Sequence, residues 1–191
     1  MEKLIVIDSC MREESRTRVI LDAAREVLSA RYEVETIDVN ALALPPLTPE
    51  GLKARNAGVV PQKALSVAGR IALADRLVIA APFWDMSFPA VLKAFFENMS
   101  LYNVTFTDDG TTCTGLCKCR KVLYITTRGM DIPTGDYRDQ GSSYLKALSS
   151  LWGLGEVITV AAWNLDYMPV EKVAGKVRET ADLARSIAEE F

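Results

Sequence analysis

The chain has 191 residues, 49% of them hydrophobic and 25% charged, enough for one domain with a full core. Its net charge of −3 gives no general attraction to nucleic acid or anionic lipid, so any phosphate site must come from local geometry. The absence of histidine removes Ser-His-Asp and Cys-His mechanisms and most zinc-enzyme sites, leaving proton transfer to other groups or the chemistry to a cofactor.

From the N-terminus, Met1, Glu2 and Lys3 lead straight into an apolar run at residues 4–7, too short for the core of a signal peptide. No apolar stretch approaches the ~20 residues of a membrane span, and a soluble, cytoplasmic protein without a membrane or nucleic-acid partner is expected. Further β-type runs follow at 34–39, 77–81, 122–127 and 157–162. Near-continuous apolar runs suit strands covered on both faces, whereas Glu35, Thr36 and Asp38 mark the second run as an edge.

Helical stripes lie between the runs. Val19, Ile20, Ala23, Ala24, Val27 and Leu28 form the first. Pro61 opens the next, carrying Leu65, Ala68, Ile71 and Ala72. Ser87 and Pro89 read as N-cap and first turn of a helix with Val91, Leu92, Phe95, Phe96 and Met99. Tyr144, Leu145, Leu148 and Trp152 precede Gly153 and Gly155, a helix-stop signal. Val170, Val173, Val177, Ala181, Ala184 and Ile187 make the last stripe. Strand and helix thus alternate five times, which predicts an α/β fold: a doubly wound parallel sheet of order 2-1-3-4-5, helices on both faces, in one domain over residues 1–191. Residues 41–60 and 102–119 are left as long irregular connections, of a kind that is often functional.

In such a sheet, ligands bind beyond the carboxyl ends of the strands, where the order reverses. Three loops face that crevice, at 8–17, 82–87 and 128–137. The first has no glycine, so neither a dinucleotide fingerprint nor a P-loop is present. It does offer Ser9, Ser15 and Thr17, with Arg12, Arg16 and Arg18 nearby, at the start of a helix. Hydroxyls and helix N-terminal N–H groups can hold one phosphate monoester; Ser15 can equally be an N-cap, and the two roles are compatible. The second loop, Pro82-Phe83-Trp84-Asp85-Met86-Ser87-Phe88-Pro89, brings three aromatics, suited either to a flat heterocycle or to plugging the core. In the third, Gly129 permits close backbone approach. Arg128 either places a fixed cation over a ring that gains negative charge on reduction or makes a surface ion pair.

At these loops the sequence resembles the FMN-dependent NADH-azoreductases, within the wider flavodoxin-like NAD(P)H:quinone oxidoreductases. Pro82 to Pro89, followed by Ala90-Val91-Leu92-Lys93, is similar to the family's P-M-Y-N-F…P-A-x-L-K stretch. Val104-Thr105-Phe106 with Thr114-Gly115-Leu116 resembles its V-T-F…G-L segment, and Thr127-Arg128-Gly129 its S-R-G-G loop. Ser9 and Ser15-Arg16-Thr17 resemble its strand-end serine and phosphate loop. The resemblance implies a flavodoxin-like fold, bound FMN, NADH or NADPH as hydride donor, a small acceptor such as a quinone or azo compound, and a homodimer. It assigns the phosphate to Ser9, Ser15, Arg16 and Thr17. The ring falls to Pro82, Phe83, Trp84, Asp85 and Met86 on one flank, and to Thr127, Arg128 and Gly129 on the other. The family's asparagine is Asp85 here, which accepts but does not donate, and either opposes the reduced ring or accepts from it. Met130 replaces a second glycine. An electron carrier on the same fold is the alternative; such carriers show a strongly acidic face, and a net charge of −3 argues against one. Cys113, Cys117 and Cys119 match no standard zinc spacing and read as thiols, with no metal expected.

Overall fold

The computed structural model describes residues 1–191. In chain order it contains β1 (Lys3–Asp8), α1 (Arg16–Leu28), β2 (Glu33–Asp38), α2 (Val39–Leu42), α3 (Pro49–Asn56), α4 (Gln62–Leu73), β3 (Arg76–Ala80), α5 (Ala90–Met99), β4 (Phe106–Asp108), β5 (Cys113–Gly115), β6 (Lys121–Thr127), α6 (Gln140–Trp152), β7 (Glu156–Ala162) and α7 (Val170–Glu190). The main sheet is parallel, with order β2-β1-β3-β6-β7. Leaving out the separate β4–β5 hairpin, this is the expected 2-1-3-4-5 winding.

Strand alternation builds two cores. Ile5 and Ile7 of β1, Leu77 and Ile79 of β3, and Val122 and Tyr124 of β6 face α4, α5 and α6, meeting Ala68, Phe96, Leu145 and Trp152. Their neighbours Leu4, Val6, Val78, Ala80, Leu123 and Ile125 face the other way, onto Ile20, Ala24 and Leu28 of α1 and Ala181 and Ala184 of α7. The continuous apolar runs are therefore the mark of a sheet covered twice. β2 pairs with β1 alone and keeps Glu35 half-exposed and Thr36 exposed, as its mixed sequence implies.

Local departures have local causes. Val39 leaves the second strand because Asp38 turns the chain, its carboxylate accepting from the N–H groups of Asn40 and Ala41 to cap α2. Ser87 does not cap α5: it bridges back to Trp84, and Pro89 precedes the helix without a side-chain cap. The stretch 41–60 contains α3, capped by Thr48 with Pro49 and Glu50 in its first turn. Within 102–119 lies the hairpin, whose tip is folded by Asp109 accepting from the N–H groups of Thr111 and Thr112. Gly115 is obligatory, since a Cβ there would strike the backbone of Trp152 and Gly153 at the end of α6.

Candidate active site

The carboxyl ends of β1, β3 and β6 open on a cleft of about 530 Å³. One end is the first turn of α1. Ser15 has extended backbone and its Oγ accepts from Arg18 N–H at 3.3 Å, so it is a true N-cap. The N–H groups of Arg16 and Thr17 have no intrahelical acceptor, and the first turn carries no acidic side chain. These amides, the hydroxyls of Ser15 and Thr17, and the guanidinium of Arg16 meet at one end of the cleft. Thr17 Oγ1 lies 2.7 Å from Thr127 Oγ1, tying this turn to the end of β6. Arg18 is spent on the loop itself, bonding Asp8 Oδ2 at 3.1 Å and Cys10 O at 2.8 Å.

The middle wall is Pro82, Phe83 and Trp84. Phe83 N–H donates to Thr127 O at 3.0 Å, holding the loop after β3 against β6. The chain then reverses in a two-residue turn: Trp84 and Ser87 exchange backbone hydrogen bonds of 3.2 and 2.8 Å. Asp85 and Met86 sit at φ 47° and 68°. Positive φ at both central positions defines a type I′ turn. Its tip carries Asp85 and Met86, which are not among the residues that line the cleft. Ser9 is likewise absent from the lining. It is fully buried, and its Oγ donates to Ala80 O at 3.0 Å, which joins β1 to β3 beneath the cleft.

The far wall is Thr127, Arg128 and Gly129. Arg128 is neither a surface ion pair nor a cation open to a ligand, because its side chain has 0% exposure. Nη2 pairs with Asp139 Oδ2 at 2.8 Å and reaches Ser142 Oγ at 3.4 Å, while Nη1 donates to Ile132 O at 2.9 Å. The guanidinium carbon lies 5.1 Å from the Phe83 ring centroid. Nε is buried without a partner, as are Tyr124 Oη and Thr126 Oγ1 on the same strand. Burial pushes the Tyr124 phenol up to about 12, so it stays protonated.

Residues the sequence reading missed come from the loop after β7. Leu165 and Asp166 line the cleft, held by Leu165 N–H to Arg128 O at 3.2 Å and Asp166 N–H to Gly129 O at 2.9 Å. The Asp166 carboxylate packs directly against Gly129, so a Cβ at position 129 would have to displace that exposed side chain. Asp166 also approaches Arg16 at 3.7 Å. The signal for this loop was in the topology: α1 and α7 pack on one face, so their N-terminal ends meet at the same edge. Away from the cleft, all four cysteines are free thiols. Burial pushes Cys10 and Cys117 up to about 12 and Cys119 up to about 11, and no group of three or more Cys, Asp or Glu side chains could hold a metal ion.

A doubly wound sheet with a largely polar cleft, walled on one side by Phe83 and Trp84, at the reversal of strand order places the chain among the α/β proteins whose ligand site lies at the carboxyl ends of the strands. Residues 1–186 match the family model described as the flavodoxin-like fold, and the chain belongs to that family. An FMN-dependent NADH:quinone oxidoreductase of Clostridium acetobutylicum is 32% identical over 207 aligned positions, covering all of both chains. A relative of the same description from Clostridium perfringens is 36% identical over 127 residues, 66% of this chain and 63% of its own length. Among solved structures, an azoreductase from Bacillus anthracis superposes with a TM-score of 0.81 at 19% identity over the whole of both chains. An NAD(P)H:quinone oxidoreductase from Methanothermobacter marburgensis gives 0.79 at 19% identity over 99% of this chain and 98% of its own. At that identity the structural likeness speaks for the fold alone.

Proposed function

We propose that the chain is an FMN-dependent oxidoreductase that passes hydride from NADH or NADPH to a quinone, an azo compound or a similar small acceptor. The observation that carries this reading is the junction, in one cleft, of a helix N-terminus with unpaired amide donors and a wall of Pro82, Phe83 and Trp84. The full-length relative named as a quinone oxidoreductase points the same way, and away from a pure electron carrier.

The donor set fits FMN. A phosphate dianion needs several N–H and O–H donors and a cation; Ser15, Thr17, the first-turn amides and Arg16 supply them. A volume of about 530 Å³ lies within the ~300–1,000 Å³ range of small-molecule sites. Bound FMN would supply the two-electron hydride chemistry, so no histidine is needed. Phe83 and Trp84 present apolar surface to one side of a flat ring, with Trp84 40% exposed at the mouth. Gly129 lets backbone approach from the other side.

The same reading takes residues 1–191 as one FMN-binding domain in the cytoplasm, acting as a homodimer. Support for pairing comes from Trp84, Met86 and Tyr137, exposed together beside the mouth, with Gln140 N–H donating to Met86 O at 3.0 Å to join their two loops. No helix is long and apolar enough to cross a membrane.

Initial rates with FMN-loaded protein, varying NADH and a soluble quinone, test the function. Parallel double-reciprocal lines are expected, because one substrate must leave before the other enters. FMN-loaded protein that neither nucleotide reduces would contradict it.

A further inference from the structure

Arg128 is fully buried, yet its charge stands 5.1 Å from a ring, Phe83, that lines the cleft. A charge acting through protein is screened far less than one acting through water. An isolated guanidinium there would pull on any negative charge developing in the cleft. It is not isolated: Asp139 sits against it at 2.8 Å with no exposure of its own. Asp139 has a second task, since its Oδ1 accepts from Ser142 N–H at 3.0 Å and caps α6. The acid is thus fixed by the helix, and the arginine is fixed by the acid.

From this geometry we infer that Asp139 is a positioning residue that cancels the field of Arg128 at the cleft and thereby sets the reduction potential of the bound flavin. The inference rests on the FMN reading above. Two-electron reduction by hydride adds one negative charge to the ring, so a net cation behind Phe83 raises the potential and a net anion lowers it. The paired site has no net charge and holds the potential between these limits.

Asp139→Asn is the discriminating variant, because an asparagine carbonyl still caps α6 while its charge is gone. Redox titration of the bound FMN should show a midpoint more positive than wild type. Arg128→Gln should move it to more negative potential, and the double variant should return it to the wild-type value. Loss of structure alone cannot reproduce this pattern: both single variants destabilise the fold, whereas the potential moves in opposite directions. If D139N alone does not fold, R128Q and the double variant carry the test. A midpoint unmoved in the single variants, or moved the same way by both, overturns the inference while leaving FMN binding intact. A wild-type protein that takes up no FMN overturns both this inference and the function it rests on.

Discussion

Taking a guanidinium out of water costs several kcal/mol, on the order of what a good ion pair returns, so a buried arginine survives only with its partners in place. Arg128 has an acid, a carbonyl and a hydroxyl. Arg128→Met leaves Asp139 buried and unpaired, and urea denaturation should show a loss of about 3–5 kcal/mol. A loss under 1 kcal/mol would mean the pair is hydrated. The proposed phosphate contacts carry a second prediction. Replacing Ser15 and Thr17 with alanine should weaken FMN retention by ~1.5–3 kcal/mol per lost bond to the charged phosphate, read by equilibrium dialysis. Unchanged affinity would place the phosphate elsewhere. Ser15 and Thr17 could be found from sequence because a hydroxyl before an amphipathic stripe marks a helix start. Burial of Arg128 could not, because its acid is eleven positions on, in a loop whose path depends on tertiary packing.

The turn at Trp84–Ser87 shows how an element decides which side chains reach a site. Left-handed backbone costs a non-glycine residue ~1–2 kcal/mol, and this turn needs it twice. Asparagine followed by glycine is the preferred pair in such a turn; here it is aspartate and methionine. Met86→Gly should raise stability by about 1 kcal/mol, seen as an increase in Tm, with no change in the position of Trp84. A fall in Tm would show that the Met86 side chain packs against a partner. The aromatics were legible as a site signal, but turn type was not, because no Asn-Gly announces it. The β4–β5 hairpin escaped for a related reason: three-residue strands are too short for a period-2 pattern. That hairpin exposes one thiol. Cys113 is open to solvent, though the hydrogen bond it donates to Asp108 Oδ2 at 3.0 Å also pushes its thiol up, while burial both shields Cys10, Cys117 and Cys119 and holds them protonated well past neutrality. The thiolate is the reactive form, so iodoacetamide at pH 8 should label Cys113 first, and Cys113→Ser should remove that fast phase. Early labelling of Cys117 in peptide mass spectra would contradict the packing around it.

Across the molecule, the two cores are the part most fully written in the sequence. Each central strand alternates between them, and continuous apolar runs separated by amphipathic stripes leave the doubly wound sheet as the natural solution. Strand order then fixes where the cleft opens, before any site residue is considered. The contribution of Leu165 and Asp166 lay beyond this reading because it depends on α1 and α7 packing side by side on one face, which brings their N-terminal ends to the same edge of the sheet. The proposed function depends most on the first turn of α1. The most direct test is a crystal structure of the protein grown with excess FMN. The phosphate should lie within hydrogen-bond distance of the Arg16 and Thr17 amides and the Ser15 hydroxyl, with the ring against Phe83 and Trp84. A cleft that remains empty at saturating FMN, or a phosphate bound away from that turn, would contradict the account.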